Sequence, residues 1–208
     1  MSIPKVIYQV FIGFNPDVHF IVQDKIRKMF QYNPHYEHVF VTEEEQMVNF
    51  IKKNYDNYYL TCYEKLKNLG SKIDFFKYLI LYKNGGIYLD ISMHTIDDLD
   101  LIVKNYSTIS VSNKSYSDSI LIFSENHPIL NMVISLMIKY ISMNAYPGDD
   151  ENISGNKLFA KAVRISHFIE YNRNINIDDI NNLTELYFRN KKMRYKIVGD
   201  RFNGFFYT

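Results

Sequence analysis

Residues 70–92 read GSKIDFFKYLILYKNGGIYLDIS. An apolar helical stretch carries Asp74 and Lys77, a double glycine stops it, and a short apolar run ends in Asp90. Asp74 and Lys77 are spaced i, i+3 and so neighbour each other on a helix surface. Gly85 fits the left-handed cap that ends a helix, and Gly86 permits close backbone approach. Residues 87–91 form a short run suited to a buried strand. In open α/β sheets ligands sit beyond the carboxyl ends of strands, which is where this reading puts Asp90.

Outward from this block, strands and helices alternate. Residues 5–11, 39–41, 108–111, 120–123 and 194–198 read as strands. Pro16 suits a first helical turn, and Val18, Ile21, Val22, Ile26, Met29 and Phe30 follow at helical spacing. Thr42 with Glu45 is a capping-box signature. Further helices are expected over residues 58–69, 128–142 and 157–168. Residues 146–154 read as a polar, acidic loop and residues 172–182 as a loop with a helical turn. Strands separated by helical patterns imply βαβ units and a mostly parallel central sheet.

Composition bounds the function. The 208 residues suit one α/β domain, and a hydrophobic fraction of 47% is enough for a core. A net charge of +1 argues against nucleic-acid binding, which leaves a marked basic excess. The single cysteine, Cys62, excludes an internal disulfide framework and fits a reducing compartment. No stretch approaches the roughly 20 apolar residues of a membrane span. The N-terminus lacks the regions of a signal peptide, so the expected location is cytoplasmic, including host cytoplasm or a viral factory if the source is viral.

The 70–92 block resembles the core of sugar-nucleotide transferases with a DXD motif, above all the glycosyltransferase family 32 type. Its relatives include capsule-synthesis enzymes, yeast mannosyltransferases and the clostridial glucosylating toxins. Asp74 matches the family's first acid, and Lys77 stands where Arg is usual. Tyr78, Gly85, Gly86, Tyr88, Leu89 and Asp90 also match, but Ser92 replaces the second acid of the DXD. Ile3 to Gly13 is similar to the family's first strand, and Asn33-Pro34-His35-Tyr36-Glu37 to the turn before its second. His127-Pro128 and Ile153-Ser154-Gly155 resemble a later helix start and a donor-side loop. The last 40 or so residues carry no matching block.

The resemblance implies a GT-A-type Rossmann-like fold over residues 1–208 as a single domain. It implies a retaining, metal-assisted hexosyltransferase acting in glycan biosynthesis. The donor would be a nucleotide diphosphate sugar, UDP-linked in preference to GDP-linked; the acceptor hydroxyl, on a glycan, glycolipid or protein, is left open. Asp74 would bind sugar hydroxyls, Lys77 the sugar or diphosphate, and Asp90 the ribose and metal, while Tyr8, Gln9 and Tyr88 would help to hold the nucleotide. Mn²⁺ or Mg²⁺ would meet Asp90, Ser92 and His94, which share a face if the chain stays extended. Such an ion neutralises and templates a diphosphate.

Each residue also has a plainer reading. Asp74 and Lys77 could form a surface ion pair, Asp90 could cap a turn, His94 could be a half-buried polar residue, and Tyr8 and Phe11 could be core. Asp149-Asp150-Glu151 could be a solvated loop. Two other functions stay open: a sugar-nucleotide-binding protein without turnover, since Lys77 and Ser92 soften the motif, and a phosphohydrolase, since an acid at a strand end followed by X-Ser faintly resembles the haloacid dehalogenase nucleophile.

Overall fold

The computed structural model describes residues 3–13, 16–91, 93, 95, 98–103, 108–112, 116–144 and 153–171. Ser92, His94, the Asp149-Asp150-Glu151 run, the expected loop at 172–182 and the expected strand at 194–198 lie outside the described residues.

Among the described residues the sheet has five strands in the order β2-β1-β3-β5-β4: β1 is Val6–Val10, β2 Glu37–Val41, β3 Gly86–Leu89, β4 Thr108–Ser112 and β5 Tyr116–Phe123. β1 pairs in parallel with both β2 and β3, whereas β5 runs antiparallel to β3 and β4. Four strands therefore run one way and β5 runs against them, which agrees with the expected α/β class. The helices are α1 Pro16–Tyr32, α2 Glu44–Asn54, α3 Asn57–Lys65, α4 Leu69–Asn84, α5 Asp100–Val103, α6 Pro128–Ser142 and α7 Asn156–Tyr171.

Strand alternation separates two cores. Tyr8, Val10, Tyr88, Leu121 and Phe123 pack with residues of α2, α3, α4, α6 and α7. Ile7, Ile87, Leu89, Ile120 and Ile122 pack on the other face with Met29 of α1 and with Leu99 and Val103. Successive strand side chains point to opposite faces, so two apolar layers against one sheet follow from the sequence pattern.

α4 lies at the centre. The Asn68 side chain opens it by accepting a hydrogen bond from the Ser71 N–H at 2.7 Å. Phe75, Phe76, Tyr78, Leu79, Ile80 and Leu81 are all buried. A helix apolar on nearly every side belongs inside a domain, and each such large side chain contributes about 1.5–3 kcal/mol of burial. Its end departs from expectation in detail. Gly85 has φ +64° and ψ −165°, outside the left-handed helical well and in a region essentially restricted to glycine. A Cβ there would lie 2.7 Å from the Glu125 amide nitrogen; one on Gly86, at φ +104°, would lie 2.9 Å from the Val6 carbonyl oxygen. Both glycines are thus demanded by conformation and by space.

Two local expectations are corrected. The segment expected as one helix over 58–69 ends at Lys65, and Asn68 starts a new helix at Leu69. At the start of α2 it is Gln46, not Glu45, whose side chain accepts from the Thr42 and Glu43 N–H groups, at 2.8 and 3.0 Å. His127-Pro128 does open α6, with Pro128 in the first turn and His127 Nδ1 accepting from the Ile129 N–H at 3.3 Å. Among the described residues, no helix is long and apolar enough to cross a membrane.

Candidate active site

Ser71, Asp74, Lys77 and Tyr78 recur at helical spacing and form one stripe along α4. This stripe faces the start of β5 and the turn before α7. Lys77 Nζ lies 2.6 Å from Asp74 Oδ1 and 2.8 Å from Asp118 Oδ2. The lysine side chain is 2% exposed, against 20% for Asp74 and 11% for Asp118. Asp74 is the carboxylate of this group most open to a ligand. Its Oδ2 accepts from Ser154 Oγ at 2.7 Å, and the Tyr78 hydroxyl donates to the Ser154 carbonyl at 2.8 Å. The Asp118 N–H donates to Asn156 Oδ1 at 2.7 Å, which ties β5 to the start of α7.

Burial alone pulls the Lys77 ammonium down, but the carboxylates of Asp74, Asp118 and Asp90 outweigh it and hold Lys77 well above its ordinary value. Burial pushes Asp74 up, with Lys77 opposing. Burial also raises the Tyr78 and Tyr88 phenols, and the nearby carboxylates add to it. The whole group carries three acids against one base.

Asp90 follows the last residue of β3. Its N–H donates to the Ser119 carbonyl at 2.9 Å, continuing the ladder with β5, and its carbonyl accepts from the Met93 N–H at 2.7 Å. Gln9 of β1 reaches over the same turn: its Nε2 donates to the Asp90 and Met93 carbonyls at 3.3 and 3.4 Å. Tyr88 OH donates to Asp90 Oδ1 at 3.2 Å. Burial lifts the Asp90 carboxyl to about 6, with Lys77 opposing and Asp118 reinforcing the rise.

The structure thus brings together Asp74, Lys77, Tyr88, Asp90 and Gln9. Lys77 touches its neighbours from the interior, so the surface ion-pair reading of Asp74 and Lys77 does not hold. Tyr8 pairs with Tyr88 in the sheet and is a core residue, with its hydroxyl 3.5 Å from Asn84 Nδ2, at the helix end that leads into β3. Asp118 and Asn156 join the site without any motif in the sequence to mark them. Asp118 sits in the polar run Tyr116-Ser117-Asp118-Ser119, as an acid two residues ahead of the apolar run 120–123.

Mn²⁺ or Mg²⁺ fits this site in a limited way. Lys77 already engages Asp74 and Asp118, which leaves the Asp90 carboxylate as the hard oxygen ligand among the described residues. Mg²⁺ commonly uses one or two carboxylates together with phosphate oxygens and water. Among the described residues, His35, Asp98 and Asp100 are the group of three whose ligand atoms come within 4.8 Å. They lie near the N-terminal end of β1 and β2, opposite Asp90, and the Lys5 ammonium already sits 2.6 Å from Asp100 Oδ2.

Comparison with known proteins bears on the family and the fold. Residues 20–109 match the family described as a glycosyltransferase sugar-binding region containing a DXD motif. An uncharacterised glycosyltransferase of Acanthamoeba polyphaga mimivirus is 27% identical over 194 residues, covering 89% of this chain and 72% of that one. Inositol phosphoceramide mannosyltransferase 3 of Schizosaccharomyces pombe is 28% identical over 147 residues, 70% of this chain and 40% of its own length. Among solved structures, the PaToxG glycosyltransferase superposes with a TM-score of 0.60 at 14% identity, covering 89% of this chain and 75% of that one. The UDP-bound glycosyltransferase domain of the YGT toxin gives 0.57 at 9% identity, over 82% of this chain and 78% of that domain. The fold is that of GT-A-like glycosyltransferase domains. The resemblance read from the sequence is borne out, and the family match and the relatives' names support a glycosyltransferase enzyme.

Proposed function

We propose that this chain transfers a hexose from a nucleotide diphosphate sugar, UDP-linked in preference to GDP-linked, to an acceptor hydroxyl, with retention of configuration and with metal assistance. We read residues 1–208 as one catalytic domain. The observation that carries the proposal is the meeting of Asp74, Asp118 and Lys77 with Asp90 at the carboxyl end of β3, where a parallel sheet binds ligands.

In this reading Asp74 accepts hydrogen bonds from donor-sugar hydroxyls, because it is the more accessible member of the lysine-bound pair. Lys77 stands behind it and bridges the Asp74 and Asp118 carboxylates. Asp90 meets the ribose and would hold Mn²⁺ or Mg²⁺, with Ser92 and His94 as further ligands. Such an ion supplies charge neutralisation for the diphosphate leaving group. Gln9 and Tyr88 fix the Asp90 backbone turn and carboxylate, so that little reorganisation is needed when the donor binds.

Turnover of labelled UDP- and GDP-hexoses by the purified chain, with and without Mn²⁺, is the test. Hexose release to water or to an added acceptor is the expected result; tight donor binding without any turnover would favour the second reading. That reading, a sugar-nucleotide-binding protein, is motivated by Ser92 standing where the second acid of the motif is usual.

A further inference from the structure

Asp118 has no place in the motif, and the function above gives it no contact with the donor, yet it is only 7% exposed. Its Oδ2 meets Lys77 Nζ at 2.8 Å and lies 3.4 Å from the Tyr78 hydroxyl, while its N–H is held by Asn156. These contacts close a ring. From Asp74 the path runs through Lys77 to Asp118, then through Tyr78 to the Ser154 carbonyl, and back from Ser154 Oγ to Asp74. The ring joins α4, β5 and the turn before α7.

A lysine ammonium is a compact charge on a flexible stem, without the rigid fork of a guanidinium. One carboxylate alone would leave its direction loosely set. Two carboxylates from different elements fix it, and with it the Asp74 oxygen that it holds. We propose that Asp118 is a positioning residue for donor-sugar recognition, which fixes the Asp74 carboxylate through the shared Lys77 ammonium and the turn before α7 through Tyr78 and Asn156. This inference rests on the donor reading of the preceding subsection.

The test is calorimetry on the full chain with two probes, UDP and the UDP-hexose that the wild type binds most tightly. Asp118→Asn is expected to weaken the UDP-hexose about tenfold, the loss of one misplaced charge-assisted contact, and to leave UDP within about twofold. Combined with Asp74→Asn, its effect on the UDP-hexose should be far less than additive, because both act through one ammonium. Asn156→Ala loosens Asp118 without removing a buried charge, should show the same selectivity, and decides the question if Asp118→Asn does not fold. Equal losses for UDP and UDP-hexose, additive effects, or no loss at all would each overturn the role. A wild-type chain that binds no sugar nucleotide would overturn the donor reading itself, and this role with it; that failure is visible before any variant is made.

Discussion

Tyr88 and Asp90 stand two residues apart at the end of β3, and the Tyr88 phenol donates to Asp90 Oδ1 at 3.2 Å. Despite that donor, burial keeps the Asp90 carboxyl at about 6. The acid at the strand end is therefore held ionised at neutral pH against the preference of its surroundings. Such opposition between stability and charge is characteristic of functional sites.

The Asp90→Asn variant is expected to lose transfer and gain stability. Its folded-state value is raised, so the folded protein binds the extra proton between the unfolded carboxyl value and about 6, and wild-type stability falls as pH rises through that window. The variant should unfold at a higher temperature than wild type at pH 7.5 without metal, and the difference should shrink toward zero as the pH drops to about 4. Wild-type turnover should fall as the pH drops below about 6, where Asp90 takes up its proton. Parallel thermal melts across pH, with turnover at each pH, check both statements; a constant difference in melting temperature would contradict the first.

Asp74→Ala should weaken the donor sugar more than free UDP, by about 1–3 kcal/mol, the penalty of a lost polar contact at a site. Calorimetry on both ligands measures it. Equal losses would place Asp74 away from the sugar.

Lys77→Met should destabilise the fold by about 3–5 kcal/mol, because it leaves Asp74 and Asp118 beside each other without their cation. Urea unfolding at neutral pH gives the value. The loss should diminish in acid, where Asp74, whose carboxyl burial pushes up, takes up a proton. A pH-independent loss would mean that the lysine acts by packing alone.

Gly86→Ala should cost about 1–3 kcal/mol of backbone strain, with a further loss from the Cβ contact at 2.9 Å to the Val6 carbonyl. A variant as stable as wild type in chemical denaturation would show that the corner can relax.

Ser92→Asp restores the second acid of the motif and should tighten Mn²⁺ binding in the presence of UDP. Metal titration of both proteins decides it, and unchanged affinity would put position 92 outside the site.

The α4–β3 block was legible because its signals agree: an apolar helix, two glycines and a short strand admit one arrangement. The burial of Lys77 is legible in the all-round apolar character of α4: Phe75, Phe76, Tyr78, Leu79 and Ile80 leave no solvent face beside it. Asp118 was not legible. Its contact with Lys77 is long-range, and it requires β5 to run against its neighbours, a reversal that strand patterns alone do not encode. The break between α3 and α4 was hidden because Leu66 and Leu69 continue an apolar spacing, while the Asn68 cap between them is a local hydrogen bond.

The glycine corner also acts as a ruler. From Lys77 to Gly85 the helix descends about 12 Å at its rise per residue, and from Gly86 to Asp90 the strand climbs back about 13 Å. Lysine and acid come level because two unequal pitches cancel across a corner with no slack. Lengthening one arm alone would separate them or turn one aside. The shortest extension that keeps both height and facing is about one helical turn of four residues matched by two residues of strand. Changes of length between Lys77 and Asp90 are therefore accommodated only as paired insertions of that ratio.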